Sequence, residues 1–325
     1  MEFKKLTGHT NIGFDSHWQG NIPYKLFSTS LRGRFVNFLR MGTPTIEGLT
    51  GLAKITPEFK AYLDDLAFRK EQHLYISLQK RDGNEAGRTL ALQNLQREPD
   101  RKNFKLVVLA QDSSFYKQKG RGIQDADTFK KEFFLQMLEK EGSGFYFPEK
   151  WKNKRKFQDK LKNLLDDVHY VLFSNKVNLE KQEKLDFIEV YYAYLSIFLS
   201  DYSQAGSINI SCKDAIDRAG KLNSLVTQLI MIIQGKAEDP RHRQVHGVLT
   251  HAPALAAKSQ AVIAGHGKDK AASGRRERLV TALEVLKDPA VRDRIRKLNI
   301  TNLAGEMLIN VNGDIAIAGV FNDAG

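Results

Sequence analysis

The chain has 325 residues, 42% hydrophobic and 27% charged, with a formal net charge of +12 and a pI near 9.5. Its single cysteine excludes an internal disulfide and a cysteine-rich zinc site, and fits a reducing compartment. No apolar run approaches the ~18 residues of a membrane-spanning helix. The N-terminal Met1 to Leu6 also lacks the apolar core of a Sec-type signal. The basic balance points to anionic partners, which could be nucleic acid, a negative membrane leaflet or phosphorylated ligands.

Residues 1–50 are rich in Gly, Ser, Thr and Asn and read as loops and short strands. Arg40-Met41-Gly42-Thr43-Pro44-Thr45 reads as an irregular loop that could position a phosphate or substrate through Arg40 and Thr43; the plain alternative is a surface turn. Thr56-Pro57-Glu58 opens a helix, with Thr56 as N-cap and Pro57 at the first helical position. Residues 73–78 alternate as a strand, 88–96 read as a short helix, and 104–110 form a near-continuously apolar, central strand. Asp112 follows that strand's carboxyl end, where ligand sites of α/β sheets gather, and is a candidate general acid. Asp125 and Asp127 are further candidates, against the commoner use of Asp in turns and caps.

The chain becomes helical from Asp127 to the glycines at 142 and 144. Residues 149–160 hold six Lys or Arg with Trp151 and Phe157 interleaved, either a docking face for an anionic membrane or a solvated helix face. Two long helices over 160–173 and 179–199 follow, the second with an aromatic stripe that suits a core. His242, His246 and His251 lack a ligand frame for a metal, whereas His251 could line an active site. Residues 254–263 and 273–286 read as helices. Arg275, Arg276 and Arg278, at the start of the second, call for anions or carboxylates nearby. Residues 307–318 read as a hairpin around Asn312-Gly313.

The chemistry concentrates in residues 205–234. Ile208 and Ile210 alternate as a strand, and Leu222, Leu225, Val226, Leu229, Ile230 and Ile233 form one helical stripe. Between them run Cys212-Lys213-Asp214-Ala215-Ile216-Asp217-Arg218. A loop opening a helix presents N–H groups where an anion is favoured. The helix N-terminus and Arg218 would both favour a Cys212 thiolate, the reactive form of cysteine. The guanidinium fork of Arg218 suits phosphate oxygens, and the whole suits attack on phosphorus through a phosphocysteine intermediate. The plain alternative is a small buried thiol beside a surface arginine.

This loop resembles those of cysteine-based phosphoinositide phosphatases. Cys212-Lys213, the small Ala215 and the closing Asp217-Arg218 are similar to the bacterial SopB/IpgD effectors and the inositol polyphosphate 4-phosphatases. Asp214, Ile216, Asp217 and Arg218 are similar to the Sac phosphatases. The loop and its flanks most resemble the SidP-like phosphoinositide 3-phosphatases among Legionella effectors, with Arg40 to Thr45 and His251 to Arg278 as further likeness. Two positions depart from the pattern. Ala219 stands where most such loops carry a Ser or Thr whose hydroxyl helps the sulfur leave, a hydroxyl that Ser211 or Ser224 would have to supply here, and Ile216 stands where enzymes for highly phosphorylated inositides carry lysine.

The resemblance implies an α/β (α+β) fold of cysteine-phosphatase type, with a central mixed sheet flanked by helices and a helix-rich middle and C-terminal part. We expect one interwoven domain over 1–325, divisible into 1–125, 126–200 and 201–325, because the loop at Cys212 needs sheet partners from the N-terminal half. The expected activity is removal of a phosphate, the 3-phosphate favoured, from a phosphoinositide in a membrane surface, with no cofactor or metal and no nucleic-acid partner. Cys212 attacks and Arg218 binds the phosphoryl group. Lys213, Asp214, Ala215 and Ile216 cradle it, with Lys221, Arg40, Thr43 and His251 as further substrate contacts. Asp112 or Asp217 is the acid. The implied setting is a secreted effector at host membranes, otherwise the cytoplasm. Two alternatives stand beside this reading: a weak or inactive lipid- or phosphate-binding relative, and a basic scaffold for membrane or nucleic acid.

Overall fold

The computed structural model describes residues 24–47, 52–109, 111–138, 142–213, 215, 218–237 and 269–298. In chain order its elements are β1 (Tyr24–Leu31), β2 (Arg34–Arg40), β3 (Thr45–Glu47), β4 (Ala53–Ile55), α1 (Pro57–Phe68), β5 (Gln72–Ser77), α2 (Ala86–Arg97) and β6 (Phe104–Val108). Then come β7 (Gln124–Asp125), α3 (Ala126–Leu138), α4 (Glu149–Lys152), α5 (Arg155–Phe173), β8 (Asn178–Leu179) and α6 (Lys181–Tyr202). The last are β9 (Ala205–Ser211), α7 (Arg218–Ile233), α8 (Asp269–Lys287) and α9 (Pro289–Lys297).

Five strands form a mixed sheet in the order β1-β2-β9-β5-β6. The β1–β2 pair is antiparallel, and β2, β9, β5 and β6 run parallel. The sheet is flanked by helices on both faces, as expected of an α/β chain. Strand β9 lies at its centre, between β2 and β5 from the N-terminal half.

The two faces follow from the period of two along each strand. Leu74, Ile76, Ile208 and Ile210 enter the larger core with residues of α3, α5, α6 and α7. Tyr75, Phe104, Leu106 and Val108 pack against Phe59, Leu63 and Leu66 of α1 and Leu92 and Leu95 of α2. Each such buried side chain contributes about 1.5–3 kcal/mol relative to exposure. Thr56 caps α1 as its sequence requires, accepting from the Phe59 amide at 3.3 Å.

One expectation needs correction. Residues 24–40 are a full hairpin, not loops and short strands. Arg32 (φ 50°) and Gly33 (φ 74°) make the two-residue turn that right-twisted strands favour. Ser28, Thr29 and Ser30 interrupt the apolar alternation of β1, which hid the strand. Helix α7 is the buried helix that its apolar run predicts, and the burial extends beyond that one stripe, since every residue from Arg218 to Ile232 is buried. It packs against β9, α6 and α8 and has no solvent face.

His73 carries a consequence for stability. It is fully buried, with Nδ1 2.8 Å from Ser207 Oγ, and burial pushes its pKa down from 6.5 to about 3. Below pH 6.5 the unfolded chain binds a proton that the folded chain refuses. Stability is therefore lost as pH falls from about 6.5 to about 3, by about 1.4 kcal/mol per pH unit. Asp186 on α6 works in the opposite sense, because burial raises it to about 6. His73→Phe isolates the histidine. Between pH 6 and 4 its urea-unfolding free energy is expected to fall less steeply than the wild type's by about that slope, and parallel curves would contradict the assignment.

Candidate active site

Strand β9 delivers Cys212 to the carboxyl end of the sheet's central strand, and α7 begins at Arg218. The polar alternation of β9 has a specific use there. Ser207, Asn209 and Ser211 point away from the isoleucine face and are all buried. Asn209 Oδ1 accepts from the Met41 amide at 3.0 Å, and Ser211 Oγ donates to the Met41 carbonyl at 2.9 Å. Buried polar groups must find such partners, and these two fasten the segment after β2 to the strand that precedes Cys212.

That segment then holds the loop itself. The Thr43 amide donates to the Lys213 carbonyl at 3.0 Å, and Thr43 Oγ1 donates to the Cys212 carbonyl at 3.2 Å. Arg40 Nε donates to the Ala215 carbonyl at 3.1 Å. Thr43 Oγ1 in turn accepts from Gln79 Nε2, and Gln79 Oε1 accepts from Arg88 Nη1 at 3.1 Å. Arg40 and Thr43 thus join the loop as buttresses. Because a peptide unit is planar and trans, drawing the Cys212 carbonyl toward Thr43 turns the Lys213 N–H to the opposite side. Ala215 adopts a left-handed backbone (φ 50°) and is 1% exposed, so the position needs a small side chain. Cys212 is 2% exposed.

Arg218 is buried and engaged by two carboxylates. Nη1 lies 2.8 Å from the Leu78 carbonyl, 3.0 Å from Glu85 Oε2 and 3.3 Å from Asp112 Oδ2. Nη2 completes a two-pronged contact with Glu85 Oε1. Burial raises the Glu85 carboxyl, but the Arg218 hydrogen bonds and charge, with the Lys80 amide at 2.7 Å, outweigh it and hold it below its ordinary pKa. Sequence reasoning missed Glu85, which sits in a polar turn with no pattern of its own. Asp112 is where the strand-end rule put it, shared between Arg218 and Lys117 at 3.1 Å. Asp125 and Asp127 are not brought to this place. Asp125 caps α3, accepting from the Thr128 amide at 2.8 Å, and Asp127 pairs with Lys130 at 2.9 Å.

Lys221 is also placed differently from its expectation as a substrate contact. It is fully buried one turn into α7, where Nζ lies 2.7 Å from Glu189 Oε1 and reaches the Tyr116 hydroxyl. Arg278 of α8 joins the same carboxylate at 2.6 Å and stacks over the Tyr116 ring at 3.8 Å. The anion sought for the arginines of 275–278 is, for Arg278, a carboxylate of the chain itself. Ser211, a candidate hydroxyl for the step that Ala219 leaves without one, is committed to the Met41 and Cys212 carbonyls.

In 149–160 the chain breaks between α4 and α5. Trp151 and Phe157 turn into the core while Lys150, Lys154, Arg155 and Lys156 stay exposed. Asp214, Ile216, Asp217 and His251 lie outside the described residues, as do His242, His246, the helix expected at 254–263 and the hairpin at 307–318. No helix among the described residues is long and apolar enough to cross a membrane. Comparison with protein-family models, curated proteins and solved structures finds no match to this chain.

Proposed function

We propose that the chain is a cysteine-based phosphoinositide phosphatase acting at a membrane surface, with the 3-phosphate as the favoured target. The observation that carries this reading is the joint placement of Cys212 at the end of the central strand, Arg218 at the start of the next helix, and Asp112 3.3 Å from that arginine. In the first step the Cys212 thiolate attacks phosphorus. The S–P bond forms, the P–O bond to inositol breaks, and a carboxylic acid protonates the leaving oxygen. Asp112 is the described residue best placed for that proton. Arg218 and loop amides stabilise the charge on the transferring phosphoryl. Water then hydrolyses the phosphocysteine. The host-membrane effector setting belongs to the same proposal and rests on the resemblance of the loop.

A second reading has one observation in its favour. Ala219 offers no hydroxyl to the departing sulfur, and Ser211 is already committed. A chain with this loop could bind phosphoinositides and stall at the intermediate. Phosphate release from a panel of phosphatidylinositol phosphates, by wild type and by Cys212→Ser, decides between the readings. Release by the wild type alone is the expected result. Release retained by the variant would sink the mechanism. Binding without release by the wild type would favour the stalled relative, and salt-sensitive duplex binding without lipid preference would favour a basic scaffold.

A further inference from the structure

A cavity of about 660 Å³ opens on the β6 edge of the sheet, two strands across from Cys212. Arg81, Asp82, Arg97, Tyr146, Glu149 and Lys152 line it. Three cations and two carboxylates share this wall, yet among the described residues neither Arg97 nor Lys152 has an ion-pair partner. Cations and carboxylates left apart around one cavity suit a ligand that carries both an anion and hydroxyl donors. The cations match phosphate oxygens, the carboxylates accept from hydroxyls, and the Tyr146 ring offers a face to a saturated ring.

The wall is built before any ligand arrives. Tyr146 exchanges both backbone hydrogen bonds with Val108 of β6, at 2.8 and 3.0 Å. Its hydroxyl accepts from Gln96 Nε2 at 2.7 Å. Arg81 is fixed by donation to the Phe145 carbonyl at 2.8 Å and lies over the Tyr146 ring at 5.5 Å. We propose that this cavity is a binding site for a phosphorylated polyol or sugar, separate from the Cys212 loop, with Arg97 and Lys152 taking the phosphate and Asp82 and Glu149 the hydroxyls. Arg81 belongs to the segment whose Leu78 carbonyl and Glu85 carboxylate hold Arg218. Occupancy is therefore in a position to be felt at the loop.

The test is calorimetric titration of the full chain with inositol 1-phosphate, inositol and inorganic phosphate. Inositol 1-phosphate is expected to bind tighter than either part. Arg97→Ala/Lys152→Ala is expected to weaken it roughly tenfold or more, since each charge-assisted hydrogen bond is of that size. Arg97 is exposed, Lys152 is half-buried, and neither is in an ion pair among the described residues, so the variant's unfolding midpoint without ligand stays close to the wild-type value, and phosphate release at the Cys212 loop is retained. Lys156→Ala/Lys160→Ala removes the same charge elsewhere and should leave binding unchanged. Binding that survives in the first variant, falls equally in the second, or is matched by phosphate alone would overturn the proposal. These outcomes do not depend on whether the loop is catalytic. Vesicles bearing phosphatidylinositol phosphate that displace the soluble probe identify a membrane headgroup as the source; vesicles that leave it bound identify a free polyol phosphate.

Discussion

Arg218→Lys is expected to lower phosphate release on the order of 10²–10³-fold, the usual cost of removing a preorganised donor to a transition-state oxyanion. Charge is conserved in this change, so the loss reads the fork and not the sign. The guanidinium meets Leu78, Glu85 and Asp112 at once, with two nitrogens on Glu85 alone. An ammonium presents one compact charge and cannot span these partners while offering donors to a phosphoryl group. Glu85→Gln is the companion change. It keeps the shape but removes the charge that holds the arginine in place, so it should reduce kcat less than Arg218→Lys. The pH dependence of stability separates its effects. Glu85 titrates below its ordinary pKa when folded, so its contribution is present above about pH 4.5 and lost as pH falls below it. Glu85→Gln should remove that acid-side component of the urea-unfolding curve. A lysine variant with wild-type turnover would remove Arg218 from the mechanism.

The parts of this site that were legible in the sequence are those with local periodicity. Ile208 and Ile210 marked β9, and the apolar run from Leu222 marked α7. The turn between them had to hold Cys212 and Arg218. The place of Asp112 was legible because it follows the carboxyl end of β6, and it lies beside Arg218. Glu85 was not, because its partner lies 133 residues away and no local pattern records such a contact. The buttress from Arg40 to Thr43 was visible only as unusual loop composition. What fixes it is the polar face of β9, where alternation alone leaves open whether Asn209 and Ser211 meet solvent, and both are buried and bonded to Met41. The same ambiguity affected Lys221. A lysine after a phosphate loop invites a ligand-facing role, but α7 has no exposed side, and a buried lysine must find a carboxylate.

That carboxylate makes Glu189→Ala the most damaging single change expected for the fold. Glu189 is fully buried and accepts from Lys221 Nζ at 2.7 Å and the Tyr116 hydroxyl at 2.5 Å, with Arg278 Nε 2.6 Å away. Burial raises its carboxyl, but the charges of Lys221 and Arg278 and the hydrogen bonds from Lys221 and Tyr116 more than offset this and keep it below the ordinary pKa. Alanine leaves two buried cations facing each other without their shared anion. Stability should fall by about 3–5 kcal/mol, read as a shift in the urea midpoint, because an uncompensated buried charge costs more than a buried pair contributes. Glu189→Leu/Lys221→Met should recover much of that loss. It removes the lysine, while Arg278 keeps the Tyr116 ring at 3.8 Å and the Tyr116 carbonyl at 2.8 Å. A single variant within about 1 kcal/mol of wild type, or a double variant worse than the single, would show that the cluster is not held by its charges. Lys221 sits one helical turn beyond Arg218, and Arg278 ties α8 to the same point. The cluster therefore anchors the start of α7 from beneath, and a double variant that regains stability should also regain the Arg218-dependent rate.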